Sequence, residues 1–165
     1  MTSDSDRDLT QLNPLWRAPG TGPTLDVLGV PHVYKAMAND TGQQFSLWES
    51  VVPPGAGAPA HTHTHEDEAF YVLSGEVLFE VEGAADPLRL GPGGFLFAPR
   101  NQRHAYRNIG AVAAHLLVFA IPGTGLDRMF AAFDAASKRT GHMPAIDTIA
   151  AIAEQYGVVI HPPAG

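Results

Sequence analysis

The stretch that decides the fold reads GAGAPAHTHTHEDEAFYVLSG and runs from Gly55 to Gly75. Residues two apart in a strand share a face, so His61 and His63 project to the same side and could bind one divalent ion together. Glu68 lies at an odd offset from His63, and an unbroken strand would put it on the opposite face. We therefore predict a bend or bulge over residues 65–67, after which Glu68 points inward.

Short strands separated by turn residues extend on both sides of this stretch. Val77, Phe79 and Val81 recur at every second position, which predicts a strand with one inward face. The runs PPG at 53–55 and GPGG at 91–94 are typical of turns. Roughly nine to eleven such strands precede residue 122. Their close spacing indicates an all-β antiparallel barrel or jelly roll.

The sequence pattern changes from strands to helices after this region. Apolar residues at helical spacing predict an amphipathic helix, and a second helix is predicted between Pro144 and Gly157. We expect both helices to cover the barrel edges or to support a subunit contact rather than to take part in catalysis. The apolar residues of the first helix are Leu126, Met129, Phe130 and Phe133. The predicted organisation is a flexible tail (1–13), a barrel with an N-terminal arm (14–122) and a helical extension (123–165).

Composition excludes several classes of protein. The 165 residues suit one domain and include no cysteine, so disulfides and thiolate metal sites are excluded and any metal must be bound by imidazole and carboxylate. A net charge of -7 without a Lys/Arg cluster disfavours a nucleic-acid partner. The polar N-terminus does not resemble a signal peptide, and no apolar run is long enough to span a membrane. We expect a cytoplasmic protein.

A second stretch, GGFLFAPRNQRHAYRN over residues 93–108, completes the pattern. Together the two stretches resemble the two sequence motifs of the cupin superfamily. The phrase from Glu66 to Glu76 and the two-helix tail are similar to its quercetin 2,3-dioxygenase-like branch of small single-domain cupins. Asn101 stands where the second motif has glycine, and asparagine tolerates the left-handed backbone that such a turn needs. The positions that match the motifs are Gly55, His61, His63, Glu68, Gly75, Gly93, Pro99, His104 and Asn108.

The resemblance implies a cupin double-stranded β-helix, which is a jelly-roll barrel, with a C-terminal pair of short α-helices. It also implies one divalent transition-metal ion, bound by His61, His63, Glu68 and His104. Three neutral imidazoles and one carboxylate leave open positions on an octahedral ion, as a catalytic site requires. Nitrogen and oxygen ligands suit Fe, Mn, Ni, Co, Cu or Zn and do not select among them.

Two further residues are predicted to face the site. Tyr106 lies two residues beyond His104 and should share its inward face, where it could hydrogen-bond substrate or act as a weak acid. Packing in the barrel with a satisfied hydroxyl is the alternative for this tyrosine. Phe70 lies two residues beyond Glu68 and should form an apolar wall of the pocket.

The other histidines are assigned from their surroundings. His65 alternates with His61 and His63 and could be a ligand in a shifted register, but the motif spacing gives that place to Glu68, so we put His65 at the rim. His115 lies in an apolar strand and is either a core histidine or a pocket residue. His32 lies outside both motifs and is expected at the surface, as are His142 and His161.

The resemblance favours an enzyme, a metal-dependent dioxygenase (an oxidoreductase) acting on a small enol, phenol or flavonol-like substrate. In that branch the ligand glutamate is proposed as the base, so Glu68 is a candidate for both roles. The first alternative is a non-redox isomerase, cyclase, lyase or decarboxylase that uses the ion as a Lewis acid. The second is a small-molecule binding or sensor cupin without turnover. The expected partners are a small-molecule substrate and a second copy in a homodimer, with neither nucleic acid nor membrane.

Overall fold

The computed structural model describes residues 12–162, so most of the predicted tail lies outside the described residues. No helix among those residues is long and apolar enough to cross a membrane. The strands are β1 (Thr24–Val27), β2 (Val30–Ala36), β3 (Ser46–Val52), β4 (Gly57–His63), β5 (Asp67–Ser74), β6 (Val77–Val81), β7 (Leu88–Leu90), β8 (Phe95–Ala98), β9 (His104–Asn108), β10 (Ala114–Ile121) and β11 (Val158–Ile160). A 3-10 turn spans Ala38–Thr41, and the helices are α1 (Leu126–Thr140) and α2 (Ile146–Glu154).

The strands form two antiparallel sheets that enclose a common core. One sheet has the order β1-β2-β3-β10-β5-β8 and the other has the order β11-β4-β9-β6-β7. Strands β2 and β3 bury every second residue, because alternate side chains of a strand point to opposite faces. The predicted all-β jelly-roll barrel with two C-terminal helices is therefore confirmed. Its largest fully buried apolar side chains are Trp48, Tyr34, Phe70, Phe79, Leu116 and Leu126.

The helix α1 closes one side of the barrel with the apolar face that its spacing predicted. Leu126, Met129, Phe130 and Phe133 are all buried. Two of its carboxylates accept backbone hydrogen bonds from the barrel, Asp134 from the N–H of Asp26 (3.1 Å) and Asp127 from the N–H of Ala38 (2.6 Å). These contacts at separate turns of α1 fix the helix over the core.

The chain region after residue 122 contains a strand in addition to its two helices. Its last strand, β11, pairs with β4, and Val158 and Ile160 lie opposite His63 and His61. The segment therefore supplies one strand of the barrel itself, next to the strand that carries two predicted metal ligands.

Candidate metal centre

Three strands bring the four predicted metal ligands together inside the barrel. His61 and His63 lie on β4, Glu68 on β5 and His104 on β9. The chain bends between the end of β4 at His63 and the start of β5 at Asp67, as the sequence predicted. Because of this bend, Glu68 points to the same side as His63 despite the odd offset between their positions. All four side chains are buried, and one ligand atom from each lies within 4.8 Å of the others.

The nitrogen atoms of the three imidazoles converge on one carboxylate oxygen. Glu68 Oε2 lies 2.9 Å from Nε2 of His104, 3.1 Å from Nε2 of His63 and 3.7 Å from Nε2 of His61. Nitrogen and oxygen donors gathered at this separation form a group that could hold a divalent transition-metal ion.

Backbone carbonyls behind two of the rings prepare the imidazoles for a metal. Nδ1 of His61 lies 2.7 Å from the carbonyl oxygen of Pro59, and Nδ1 of His104 lies 3.1 Å from that of Gln102. A carbonyl only accepts a hydrogen bond, so each Nδ1 carries a proton and each Nε2 is the nitrogen left to bind an ion, after losing any proton that it shares with Glu68. The donor chemistry therefore fits a metal.

A buried carboxylate lies behind the third ring. Oε2 of Glu66 is 3.8 Å from Nδ1 of His63, and neither atom has a hydrogen-bond partner among the described residues. Glu66 is only 1% exposed, and burial raises the pKa of its carboxyl. The sequence interpretation placed Glu66 in the bend and did not foresee this contact. Its only signal was its position three residues beyond His63.

The four ligands alter one another's protonation. Burial alone would raise the pKa of Glu68, but the three histidines outweigh burial and hold this pKa well below its usual range. Burial lowers the pKa of His61. For His104 burial also acts downward, but the hydrogen bond and charge of Glu68 prevail and raise its pKa. Glu68 is therefore ionised at neutral pH, as a metal ligand must be.

A small cavity of about 80 Å³ adjoins the ligand group. Phe70 and Tyr106, which the sequence analysis expected to face the site, are among its lining residues. Burial and the charge of Glu68 raise the pKa of Tyr106, so its hydroxyl is a neutral hydrogen-bond donor. Apolar side chains from α1, α2 and several strands complete the wall, among them Met129, Phe130, Phe133, Ile149 and Val158.

Two histidines lie where the sequence interpretation did not put them. His115 was a candidate for the pocket, but β10 turns Leu116 and Val118 inward and leaves His115 outside, where Nδ1 is 2.9 Å from Oε1 of Glu49. His32 was expected at the surface, but it is only 5% exposed and lines the cavity. The alternation of β2 turns it inward. His65 is exposed, in agreement with a rim position.

Comparison with known proteins relates the barrel to one described protein family. Residues 48–120 match the family model described as a cupin domain. Protein SchB of Streptomyces halstedii is 37% identical over 68 residues, which are 41% of this chain and 48% of that protein. Quercetin 2,3-dioxygenase of Bacillus subtilis is 34% identical over 76 residues, which are 46% of this chain and 22% of that protein. The chain thus spans less than half the length of both curated relatives.

A solved structure supports the same fold. The crystal structure of a predicted oxalate decarboxylase from Thermotoga maritima matches with a TM-score of 0.58 and 21% identity, over 66% of this chain and 99% of that one. At this identity the likeness concerns the arrangement of the strands alone.

Proposed function

Residues 48–120 of the barrel match the cupin domain model, and from that likeness we propose that the chain is a metal-dependent dioxygenase of a small enol or phenol. The observation that carries the proposal is the buried His61, His63, Glu68 and His104 group beside an apolar cavity. Four protein ligands leave open positions on an octahedral ion, and the cavity provides space for substrate next to them. The partial likeness to quercetin 2,3-dioxygenase supports an enol substrate and dioxygen.

When bound, a divalent transition-metal ion would supply a Lewis acid for a substrate hydroxyl and a redox centre for dioxygen. Glu68 is the candidate proton acceptor. Its three imidazole contacts all involve Oε2, which leaves Oε1 to accept the hydroxyl proton. Because the pKa of Glu68 is low, it is ionised and ready to accept, but only from a hydroxyl that has been made acidic.

The remaining cavity residues act on substrate in other ways. Tyr106 stays neutral and can donate a hydrogen bond to an oxygen of the bound substrate. Phe70, almost fully buried, forms an apolar wall that keeps water from the reacting atoms.

The test begins with metal content. Wild-type protein, His61→Ala, His104→Ala and the matched control His65→Ala are loaded with Fe, Ni or Zn and analysed by elemental mass spectrometry. We expect the wild type and His65→Ala to hold about one ion per chain and the other two variants to lose it. Loss of the ion from His65→Ala alone would mean that the assigned ligand register is wrong.

Oxygen uptake then separates the candidate reactions. We expect the Fe- or Ni-loaded protein to consume dioxygen with a small enol substrate, and the Zn-loaded protein to be inactive. Turnover of an enol or carbonyl substrate by the Zn form without oxygen would replace the dioxygenase with a non-redox lyase, isomerase, cyclase or decarboxylase. Metal binding without turnover under either condition would identify a binding or sensor protein.

A further inference from the structure

His32 is a buried polar side chain to which the metal site described above gives no role. It lies on β2, is only 5% exposed and lines the cavity beside the metal ligands. Its Nδ1 is buried without a hydrogen-bond partner among the described residues. Nearly all buried polar atoms of folded proteins are hydrogen-bonded, so an unpaired nitrogen in a ring that lines a cavity points to a missing partner, and the cavity is the space beside this ring in which one could bind.

The ring of His32 is held in place by aromatic neighbours. It stacks on Trp48 with ring centroids 5.5 Å apart, and it meets the edge of Phe130 at 4.9 Å. Ser50 lies directly across from His32 on β3, but its hydroxyl oxygen accepts the indole N–H of Trp48 at 3.1 Å. Ser50 is therefore already engaged with Trp48, and aromatic packing holds the imidazole in place.

The charge of His32 and the residue types of the cavity wall limit which ligands could bind beside His32. Burial lowers the pKa of His32 to about 3, so the ring is neutral and offers one donor and one acceptor nitrogen. The described residues that line the cavity include no Lys or Arg. At the His32 end of the cavity, away from the metal group, a phosphate or a second carboxylate would find no Lys or Arg, whereas a neutral hydroxyl or carbonyl would find His32.

We propose that His32 is the substrate-recognition residue of this cavity and binds a neutral hydroxyl or carbonyl at the far end of a flat, largely apolar enol. This inference rests on the function proposed above, because the near end of that enol is the oxygen that reaches the metal group. The flat face of the substrate would lie among the aromatic side chains of Trp48, Phe130 and Phe70.

The test uses two hydroxypyranones that chelate a metal through the same pair of oxygens. Kojic acid carries a hydroxymethyl group on the far side of its ring, where allomaltol carries a methyl group. Their dissociation constants are measured by calorimetry on Zn-loaded wild type, His32→Phe and His32→Gln, with the zinc content of each protein determined first. Zinc avoids redox turnover during the titration.

We expect the wild type to bind kojic acid about five-fold more tightly than allomaltol, a ratio that corresponds to the net free energy of one hydrogen bond. In His32→Phe this ratio should fall to about one with zinc content unchanged, and His32→Gln should retain part of the preference because an amide also donates and accepts. A merely structural role would change both affinities alike and leave the ratio intact.

Equal binding of the two probes by the wild type, or an unchanged preference in His32→Phe, would overturn this inference and leave the proposed function standing. Binding of neither probe by the zinc-loaded wild type would overturn the proposed function together with it. His32→Gln preserves the polarity of the site and supplies the comparison if the phenylalanine variant does not fold.

Discussion

Replacement of Asn108 by alanine should destabilise the barrel strongly without touching a metal ligand. Asn108 is 1% exposed, and its amide group donates to the carbonyls of Val52 (2.9 Å) and Val112 (2.8 Å). Its Oδ1 accepts the N–H of Gly110 at 2.8 Å. Alanine removes three hydrogen bonds and leaves their backbone partners unpaired. At about 1 kcal/mol for each bond, the free energy of unfolding should fall by about 3 kcal/mol.

The assay is urea unfolding of chelator-treated protein, followed by circular dichroism, with thermal unfolding as a second measurement. For a domain of this size the expected loss corresponds to a fall in Tm of about 6–12 °C. Asn108→Asp is the matched variant: it keeps the size of the side chain and the acceptor for Gly110, but it turns an oxygen toward two carbonyls, so we expect an equal or greater loss. A loss below about 1 kcal/mol for Asn108→Ala would refute the reasoning, because it would mean that water replaces these bonds.

Three further predictions concern charge, metal affinity and assembly. Burial lowers the pKa of His32 to about 3, so the contribution of this residue to stability is complete above pH 6.5 and decreases as the pH falls. In urea titrations between pH 7 and pH 5, the free energy of unfolding of the metal-free wild type should fall by about 2 kcal/mol more than that of His32→Gln. Equal losses in the two proteins would contradict the burial of an unpaired ring. Glu66→Gln should weaken zinc binding about ten-fold in chelator competition, because the carboxylate behind His63 would no longer orient that ring. An unchanged zinc affinity would exclude Glu66 as a residue that orients His63. If the expected homodimer covers the apolar outer face of β8, Phe95→Glu (61% exposed in the wild type) should yield monomers in light scattering. Val112→Glu (68% exposed), in the loop between β9 and β10, is the control and should not.

The sequence was sufficient for the barrel and for the group of four residues that meet inside it, because both depend on local patterns. Alternation of apolar residues predicted the strand β6, and helical spacing predicted the buried face of α1. The ligands followed from a face-sharing pair, an offset that required a bend, and the resemblance of two separated stretches to known motifs. Asn101 adopts the left-handed backbone expected of it, with a φ of 65°.

The remaining features depend on contacts that no local pattern encodes. His115 lies among apolar neighbours on both sides, so alternation could not decide which face of β10 is inward. His32 belongs to no motif, and only the pairing of β2 with β3 places it beside Trp48. Glu66 lies in a polar run that resembles a solvent-exposed bend, and its burial arises because α1 and the preceding loop fold over it, with Gly125 and Thr124 in contact.

The pairing of β11 with β4 affects the order in which the protein is built. Until Val158–Ile160 has left the ribosome, β4 has a single neighbour, β9, and forms an open border of its sheet. A nascent chain therefore presents His61 and His63 on an unpaired border that can attract other strands. Completion of the barrel becomes a late event of biosynthesis, and a chain stalled before Val158 would be prone to associate with neighbouring chains on the polysome.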